Sequence, residues 1–415
     1  MFTLQPRHRL DIGLRHFAYA LFAGAWARSP ERLSARLEAG WSPGSHGLAC
    51  LSVRSGFHLL LESLALPPGS EVLVSAVTHP DMVRILEAHA LVPVPVDLDV
   101  ATLSPRLDLA ERFVTPRTAA ILVAHLFGGR VAMSPLADFA KRHRLMLWED
   151  CAQAFAGPGE TADQIADVSM YSFGALKTCT ALGGALLKVM DPSLLARMRA
   201  AQCLWRLQSR STYARTVLKF AVFTLITRPF PYGLLATAHH ALRRDFDRTI
   251  NSSVKALRPG PLLPQLEVRP SAPLLATLAH RLYTFDEARL RRRAAAGEWL
   301  SGGLPDNLPL AGHRMESRTH WLFPVLSREP DQLILACRRA GMDGARGASS
   351  VIAVPAPADR AEADPAAARQ MMADLVFLPA YPELSRRSAV RLVEAIGGAG
   401  VELPVTGRAR RVLQS

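Results

Sequence analysis

Three short apolar runs within the stretch 145–190 constrain the fold of this chain more than any other feature. They are Leu145–Trp148, Val168–Ser172 and Ala185–Val189, and glycine or polar residues separate them. Such runs are typical of buried strands in a parallel sheet, although periodicity alone leaves a buried helix open. Further apolar runs upstream alternate with helix-like segments. The alternation predicts an α/β fold with a mostly parallel central sheet covered by helices.

Three polar residues stand at or just past the ends of these predicted strands. Asp150 follows the first run, Ser172 closes the second, and Lys177 comes five residues later. In open α/β sheets the functional residues lie where strands end. Pyridoxal 5'-phosphate (PLP) needs such a set: an amine for a Schiff base, a carboxylate beside the ring nitrogen and hydroxyl donors for the phosphate. Each residue alone is more simply a solvated lysine, a strand-end aspartate or an ordinary serine, so the hypothesis depends on their order.

Composition limits the partners of the chain. The 415 residues carry a formal net charge of +13, with 49% hydrophobic and 20% charged residues, as in a globular protein. The charge favours acidic partners such as phosphorylated metabolites or an anionic membrane face. The sequence has no nucleic-acid-binding motif, so we expect no nucleic-acid partner. Five scattered cysteines without CxxC spacing predict a reducing, cytoplasmic location, no disulfide framework and no metal site.

The motifs around Asp150 and Lys177 resemble those of a known family. Glu149–Ala154 (EDCAQA), Tyr171–Lys177 (YSFGALK) and Leu182–Gly184 (LGG) are similar to the core signature of the DegT/StrS-like aminotransferases. These are homodimeric fold-type-I PLP enzymes that mostly aminate keto sugars carried on nucleotides. The resemblance implies that Asp150 faces the ring nitrogen, Gln153 lies near the ring hydroxyl, Ser172 binds the phosphate, and Lys177 forms the Schiff base and moves protons.

Several positions depart from the family pattern. Ser55-Gly56 matches a phosphate-cradling Ser-Gly-Thr at a predicted helix N-terminus, but Phe57 replaces the threonine, so backbone amides must compensate. His79 stands where the family usually has a phenylalanine stacked on the ring. Glu267 stands where an asparagine usually contacts the phosphate of the partner subunit. A plain helix cap at Ser55 and an incidental loop histidine at His79 are the alternatives.

Between the family motifs lies an apolar stretch, Val217–Leu242, flanked by arginines. Pro229 and Pro231 interrupt it, and each half is shorter than the ~20 apolar residues that cross a bilayer. One interpretation is an interfacial hairpin that contacts an anionic membrane from the cytoplasmic side. The other is an insertion that packs on the protein's own core or dimer interface. A later charge run, Arg289–Arg293, is most simply a solvated helix face.

These observations predict four parts and one main function. The parts are an N-terminal helical segment (1–45), a large PLP-binding domain (46–202), an apolar and basic insertion (203–264) and a small C-terminal α+β domain (265–415). We expect a PLP-dependent aminotransferase that moves an amino group from a small-molecule donor, glutamate by resemblance, to a keto sugar or related keto acceptor, soluble or lipid-linked. Such a reaction belongs to glycan, secondary-metabolite or lipid biosynthesis. Lys177 argues against the family's dehydratase branch, which has histidine there. The alternative is a non-catalytic PLP-fold partner protein of a membrane-associated pathway.

Overall fold

A computed structural model of the chain describes residues 3–42, 46–158, 165–242, 260–347 and 351–397. Its helices are α1 (Leu14–Trp26), α2 (Pro30–Trp41), α3 (Val53–Leu64), α4 (Pro80–Ala88), α5 (Leu107–Phe113), α6 (Ser134–His143), α7 (Pro192–Leu204), α8 (Arg210–Ile226), α9 (Pro229–Ala241), α10 (Leu263–Leu266), α11 (Ala272–Tyr283), α12 (Glu287–Gly303), α13 (Pro330–Arg339), α14 (Ala366–Asp374) and α15 (Arg386–Gly397).

The strands are β1 (Gly47–Cys50), β2 (Glu71–Ser75), β3 (Val77–Thr78), β4 (Val92–Val96), β5 (Thr118–Ala124), β6 (Gly129–Arg130), β7 (Met146–Asp150), β8 (Val168–Ser172), β9 (Ala185–Val189), β10 (Arg206–Leu207), β11 (Val268–Arg269), β12 (Ser317–Arg318), β13 (Phe323–Leu326), β14 (Ala345–Arg346), β15 (Ile352–Ala353) and β16 (Leu375–Leu378).

A seven-stranded sheet organises the large domain. Its order is β1-β9-β8-β7-β5-β2-β4, and β9 alone runs antiparallel to both of its neighbours. The other contacts, β8 with β7, β7 with β5, and β2 with β5 and β4, are parallel. The α/β fold with a mostly parallel, helix-covered sheet is therefore confirmed. All three apolar runs of the stretch 145–190 form neighbouring strands of this sheet.

The sheet is buried on both faces, which explains its continuous apolar runs. One face packs on a core that includes Phe57, Leu60, Ile85 and Met198 from the helices α3, α4 and α7. A second core, on α1, α2, α8 and α11, contains Phe17, Trp41, Tyr213, Val217 and Leu274. Because parallel strands end at the same edge of a sheet, this packing brings Asp150 and Ser172 to one edge.

The apolar stretch Val217–Leu242 forms the end of α8 and all of α9, and the break falls at Pro229 as predicted. The inner face of α8 packs into the core through Tyr213, Val217 and Phe220, while its outer face is exposed. The inner face of α8 thus packs as the second interpretation expects, and membrane contact stays a prediction. In the described part of the chain, no helix is long and apolar enough to cross a membrane.

A smaller sheet, ordered β13-β16-β14 and antiparallel, forms the C-terminal unit with α12, α13 and α15. Helix α11, which the sequence analysis assigned to this unit, instead packs against α1, α2 and α8 of the large domain. Its buried face, including Leu274 and Leu278, complements the core there. The arginines 243, 244 and 248 beside the apolar stretch lie outside the described residues, as does the C-terminal tail.

Candidate active site

The turn that carries Lys177 is fixed tightly at the end of β8. Lys177 N–H donates to the Gly174 carbonyl (2.9 Å), and the Phe173 carbonyl accepts from the N–H groups of Ala181 and Gly183 (both 3.1 Å). The Lys177 Nζ lies 4.3 Å from the centre of the Trp321 ring. Burial lowers the pKa of Lys177 to about 8, with Asp150 opposing the shift and Arg54 reinforcing it. The amine therefore gives up its proton more readily than an ordinary lysine, although most of it is still protonated at pH 7.

Asp150 ends the neighbouring strand β7 and is buried. Its Oδ1 accepts a hydrogen bond from the Ala152 N–H (2.9 Å). Burial raises the pKa of the Asp150 carboxyl, while the Ala152 N–H and the charge of Lys177 act in the opposite direction. A carboxylate in this position would gain from a cationic partner, such as a protonated ring nitrogen.

A hydrogen-bonded pair lies behind Asp150. His125 Nε2 is 3.1 Å from Glu149 Oε1, and the Ser169 hydroxyl donates to Glu149 Oε2 (2.6 Å). His125 Nδ1 accepts from the Val131 N–H (3.2 Å), so Nε2 carries the proton. His125, Glu149 and Cys151 bring metal-ligating atoms within 4.8 Å of one another, but two of them already bond to each other. All five cysteines are free. These hydrogen bonds fix the conformation at the end of β7.

Gln153 and Ser172 complete the strand-end set. The Gln153 Oε1 accepts from the Phe127 N–H (2.9 Å), which leaves its side-chain NH2 to donate to a ligand. The half-buried Ser172 Oγ accepts weakly from the Gly174 N–H (3.4 Å), and its own hydrogen is free to turn. The implied contacts of Gln153 with a ring hydroxyl and of Ser172 with a phosphate stay predictions, and both side chains carry the donors they require.

The N-terminus of α3 faces the same site. Ser52 caps the helix by accepting from the Ser55 N–H (3.1 Å), and the Ser52 and Ser55 hydroxyls lie 3.1 Å apart. A Cβ on Gly56 would lie 2.6 Å from Leu187 Cδ1, so the glycine lets α3 rest directly on β9. The Phe57 side chain is fully buried and meets Trp148 edge-on, at 5.9 Å. Phe57 can therefore offer a ligand only its backbone.

Arg54, in the first turn of α3, is a site residue that the sequence analysis missed. Its Nη1 donates to Asp81 Oδ2 (2.9 Å), and its charge lowers the pKa of both Lys177 and His79. A cation beside a helix N-terminus is suited to a phosphate group. Its position two residues after the cap Ser52 was the available signal.

His79 caps α4 at the edge of the site. Its Nδ1 accepts from the Asp81 N–H (3.1 Å), which fixes the tautomer with hydrogen on Nε2. Burial lowers the pKa of His79 to about 4; Arg54 and Lys177 act in the same direction, and Asp81 opposes them. His79 is therefore a neutral, flat ring at ordinary pH. Such a ring can stack on a pyridine, as the sequence analysis expected for this position.

Glu267 contacts a histidine of the same chain. Its Oε1 lies 3.6 Å from Nε2 of His58, a buried histidine of α3 whose ring stacks on Trp205 (5.4 Å). His58 Nδ1 is 2.8 Å from His89 Nε2. The contact between Glu267 and a partner subunit stays untested.

The donor set fits PLP. It brings to one sheet edge a half-buried amine of lowered pKa, a buried carboxylate, a neutral ring, and a capped helix N-terminus with an arginine. These are the groups that the amine-reactive carbon, the ring nitrogen, the ring face and the phosphate require. Fold and site together fit a PLP-dependent enzyme of fold type I.

Residues 33–217 match the model of the DegT/DnrJ/EryC1/StrS aminotransferase family. The chain is 30% identical over 196 residues to GDP-perosamine synthase of Caulobacter vibrioides, a match that covers 46% of this chain and 53% of that protein. It is 29% identical to dTDP-3-amino-3,4,6-trideoxy-alpha-D-glucose transaminase of Streptomyces venezuelae, over 91% of this chain and 89% of that protein. The family of this model is PLP-dependent, and the chain spans about half the length of the first of these curated relatives.

Solved structures share the fold. The aminotransferase TlmJ of Streptoalloteichus hindustanus matches with a TM-score of 0.66 and 19% identity, covering 96% of this chain and 98% of that one. DesI, solved in the presence of its TDP-sugar product, matches with a TM-score of 0.65 and 20% identity, covering 96% and 94%. At these identities the likeness establishes the fold alone.

Proposed function

We propose that the protein transfers an amino group from an amino-acid donor, glutamate, to the carbonyl carbon of a keto sugar or related keto acceptor. The observation that carries the proposal is the half-buried Lys177 amine, with a pKa lowered to about 8, beside the buried Asp150 carboxyl. The two curated relatives are named for amino sugars carried on nucleotides, which supports a keto-sugar acceptor.

Each residue of the site would have its own role in such a reaction. When bound, PLP supplies an electron sink for the negative charge that develops on the substrate carbon. Asp150 would face the ring nitrogen and stabilise its proton. Lys177 Nζ would take a proton from the substrate carbon next to the nitrogen and return it later. Ser55, Ser172, the first turn of α3 and Arg54 would hold the phosphate, and His79 would cover the ring.

The reaction is tested with purified, PLP-loaded protein, glutamate and a panel of nucleotide-linked keto sugars. We expect glutamate-dependent formation of 2-oxoglutarate and of one amino sugar, and loss of both in Lys177→Ala. Lys141→Ala, an exposed change on α6, is the matched control. Binding of PLP without turnover on any acceptor or donor would instead favour a non-catalytic partner protein.

We further propose that the protein works as a homodimer and contacts a membrane surface peripherally, so that its acceptor can be lipid-linked. The support is the outer face of α8 and α9, where Leu218, Val222 and Phe230 are more than half exposed. Large apolar side chains exposed together mark interaction surfaces. Light scattering of the pure protein tests the dimer, and the membrane contact is tested below.

A further inference from the structure

A basic cavity of about 280 Å³ lies beside the turn that carries Lys177. The N-terminal segment 7–16, helix α12 and the loop 378–383 enclose it, and Thr178 and Trp321 form the wall toward Lys177. Six arginines but only three carboxylates line it, and the arginines are Arg7, Arg9, Arg15, Arg281, Arg289 and Arg293.

The carboxylates of the cavity are already engaged. Asp11 accepts from Arg289 Nε (2.7 Å) and the Cys179 N–H (2.6 Å), and lies 3.8 Å from Arg281. Glu383 pairs with the same Arg289. Asp286 caps α12 by accepting from the Arg289 N–H (2.9 Å). Arg281 and Arg289 are therefore neutralised within the chain.

Arg293 is different. Only 8% of its surface is exposed, and its contacts are neutral: Nε donates to the Thr319 carbonyl (2.8 Å) and Nη2 to the Thr178 hydroxyl (3.1 Å). Within the described ranges no carboxylate oxygen lies within 4 Å of its guanidinium. Burial lowers the pKa of Arg293 to about 10. The charge of Asp11 opposes this shift, and the charge of Arg289 adds to it. A buried charge without a counterion is costly, so the site is stabilised by any anion that reaches it.

Arg9 offers a second unused donor. Its Nε is buried without a hydrogen-bond partner, and its guanidinium carbon lies 5.0 Å from the centre of the Tyr381 ring. The two histidines of the lining, His8 and His16, contribute no charge, because burial lowers the pKa of each to about 4. The positive potential of the cavity thus comes from arginines, whose planar forks match carboxylate and phosphate oxygens.

We propose that this cavity binds an anionic group with several oxygens, a carboxylate or a phosphate, through Arg293 and Arg9. Thr178 directly follows Lys177, so an anion held by Arg293 lies next to the reacting end of the site. Its assignment to a substrate rests on the proposed function: the carboxylate would come from the amino donor, and the phosphate from a nucleotide-linked acceptor.

Binding is measured first, without turnover. Calorimetric titration of the PLP-loaded protein with malonate and with inorganic phosphate should show saturable binding of at least one of them. PLP occupies its own phosphate site, so that site does not contribute. We expect Arg293→Gln to weaken this binding at least about tenfold. Arg291→Gln, an exposed change on the same helix, should leave it unchanged. Equal binding by wild type and Arg293→Gln, or no binding to wild type, would overturn the proposal.

A thermal melt accompanies each variant, because Arg293 is buried. If Arg293→Gln does not fold, Arg9→Gln takes its place, with the same expected loss and the same overturning result. Steady-state kinetics then separates the sources: a higher KM for glutamate alone assigns a donor carboxylate, and a higher KM for the acceptor alone assigns a phosphate. Anion binding that depends on Arg293 in a protein without any turnover would support the site and refute the proposed reaction.

Discussion

The half-buried amine of Lys177 and the buried carboxylate of Asp150 share one edge of the sheet, and each changes the proton affinity of the other. Lys177 opposes the rise in the pKa of Asp150, and Asp150 opposes the fall in the pKa of Lys177. Burial is the larger cause for both. Neither group is fully satisfied by the chain alone, which is the condition expected of a site that awaits a charged ligand.

Asp150→Asn should keep the fold and much of the PLP but lose roughly a hundredfold or more in kcat, about 2.7 kcal/mol or more of activation free energy. The amide is nearly the same size but cannot stabilise a proton on the ring nitrogen. Stopped-flow absorbance with glutamate measures the rate. The control is Asp138→Asn, an exposed change on α6, which should react like wild type. A rate near the wild-type value in Asp150→Asn would refute its role.

Lys177→Met should stabilise the cofactor-free protein at pH 7, by up to about 3 kcal/mol. The folded state holds Lys177 with a pKa of about 8, below the ~10.4 of an unfolded chain, so it binds fewer protons between these values. The cost of burying the ammonium is therefore full below pH 8 and disappears as pH rises to about 10.4. Urea unfolding at pH 7 and pH 10 measures the difference from wild type.

Urea unfolding of Lys141→Met, a change on α6, at pH 7 and pH 10 controls for the general effect of removing a positive charge. A Lys177→Met difference that is equal at pH 7 and pH 10 would contradict the shifted pKa.

Sequence order was enough to predict Lys177, Asp150 and their strand ends, because local pattern determines where apolar runs stop. It was not enough for the run Arg289–Arg293, which was expected to be a solvated face. Arg291 and Arg292 are exposed, but Arg293 is buried and Arg289 binds Asp11. Residues four apart lie on the same face of a helix, so Arg289 and Arg293 face the protein together while Arg291 and Arg292 lie toward solvent. What covers that face, the N-terminal segment, depends on tertiary packing that no local pattern contains.

At the scale of elements, the contact of α3 with β9 positions the predicted phosphate cradle. Gly56 makes this contact possible, and Leu187, fully buried in the core, lies against it. A side chain at position 56 would move the N-terminus of α3 away from the sheet, and Ser55 and Arg54 would move with it.

Gly56→Ala should therefore destabilise the protein by about 1–3 kcal/mol and weaken PLP binding, because the new methyl overlaps Leu187. Gly24→Ala is the matched control, since a Cβ there meets nothing within 4 Å. That change should stabilise α1 by roughly 0.5–1 kcal/mol, because alanine is the better helix former. Urea unfolding and PLP titration measure both effects. Equal stability of the two variants would contradict the close approach of α3 to β9.

Helix α11 shows that a helix predicted correctly from the sequence can still be assigned to the wrong domain. Its apolar face was evident in the sequence, but the choice between the C-terminal unit and the large domain depended on which surface offered a complementary core. The grooves beside α1 and α2 accept Leu274 and Leu278. Tertiary packing also decides the role of Phe57, which stands at a motif position. Its side chain packs in the core against Trp148 and does not face the phosphate cradle.

At the scale of the whole molecule, α1 and α8 carry adjacent apolar surfaces. Both helices rest on the same core through Phe17, Ala20, Val217 and Phe220, so their outer faces point away from it together. The large exposed apolar side chains of α1, α8 and α9, together called the α1–α9 patch, are Leu14, Leu21, Phe22, Trp26, Leu218, Val222, Leu225, Ile226, Phe230 and Leu234. The net charge of +13 favours an anionic surface as the occupant of the patch.

We expect the protein to float with vesicles that contain anionic lipid, and the triple variant Phe22→Ser, Leu218→Ser, Val222→Ser to bind at least about tenfold more weakly. All three side chains are more than half exposed, so their loss should leave the core intact, whereas replacing 217–242 would remove the buried Val217 and Phe220. Each buried apolar side chain contributes about 1.5–3 kcal/mol when it enters an apolar phase. Higher salt should weaken the charge-dependent part. The matched control is Leu204→Ser, Tyr283→Ser, Leu335→Ser, at exposed positions outside the patch, which should float like wild type. A wild-type protein that stays with the buffer, and whose patch variant changes from dimer to monomer in light scattering, would show that a second copy covers the patch.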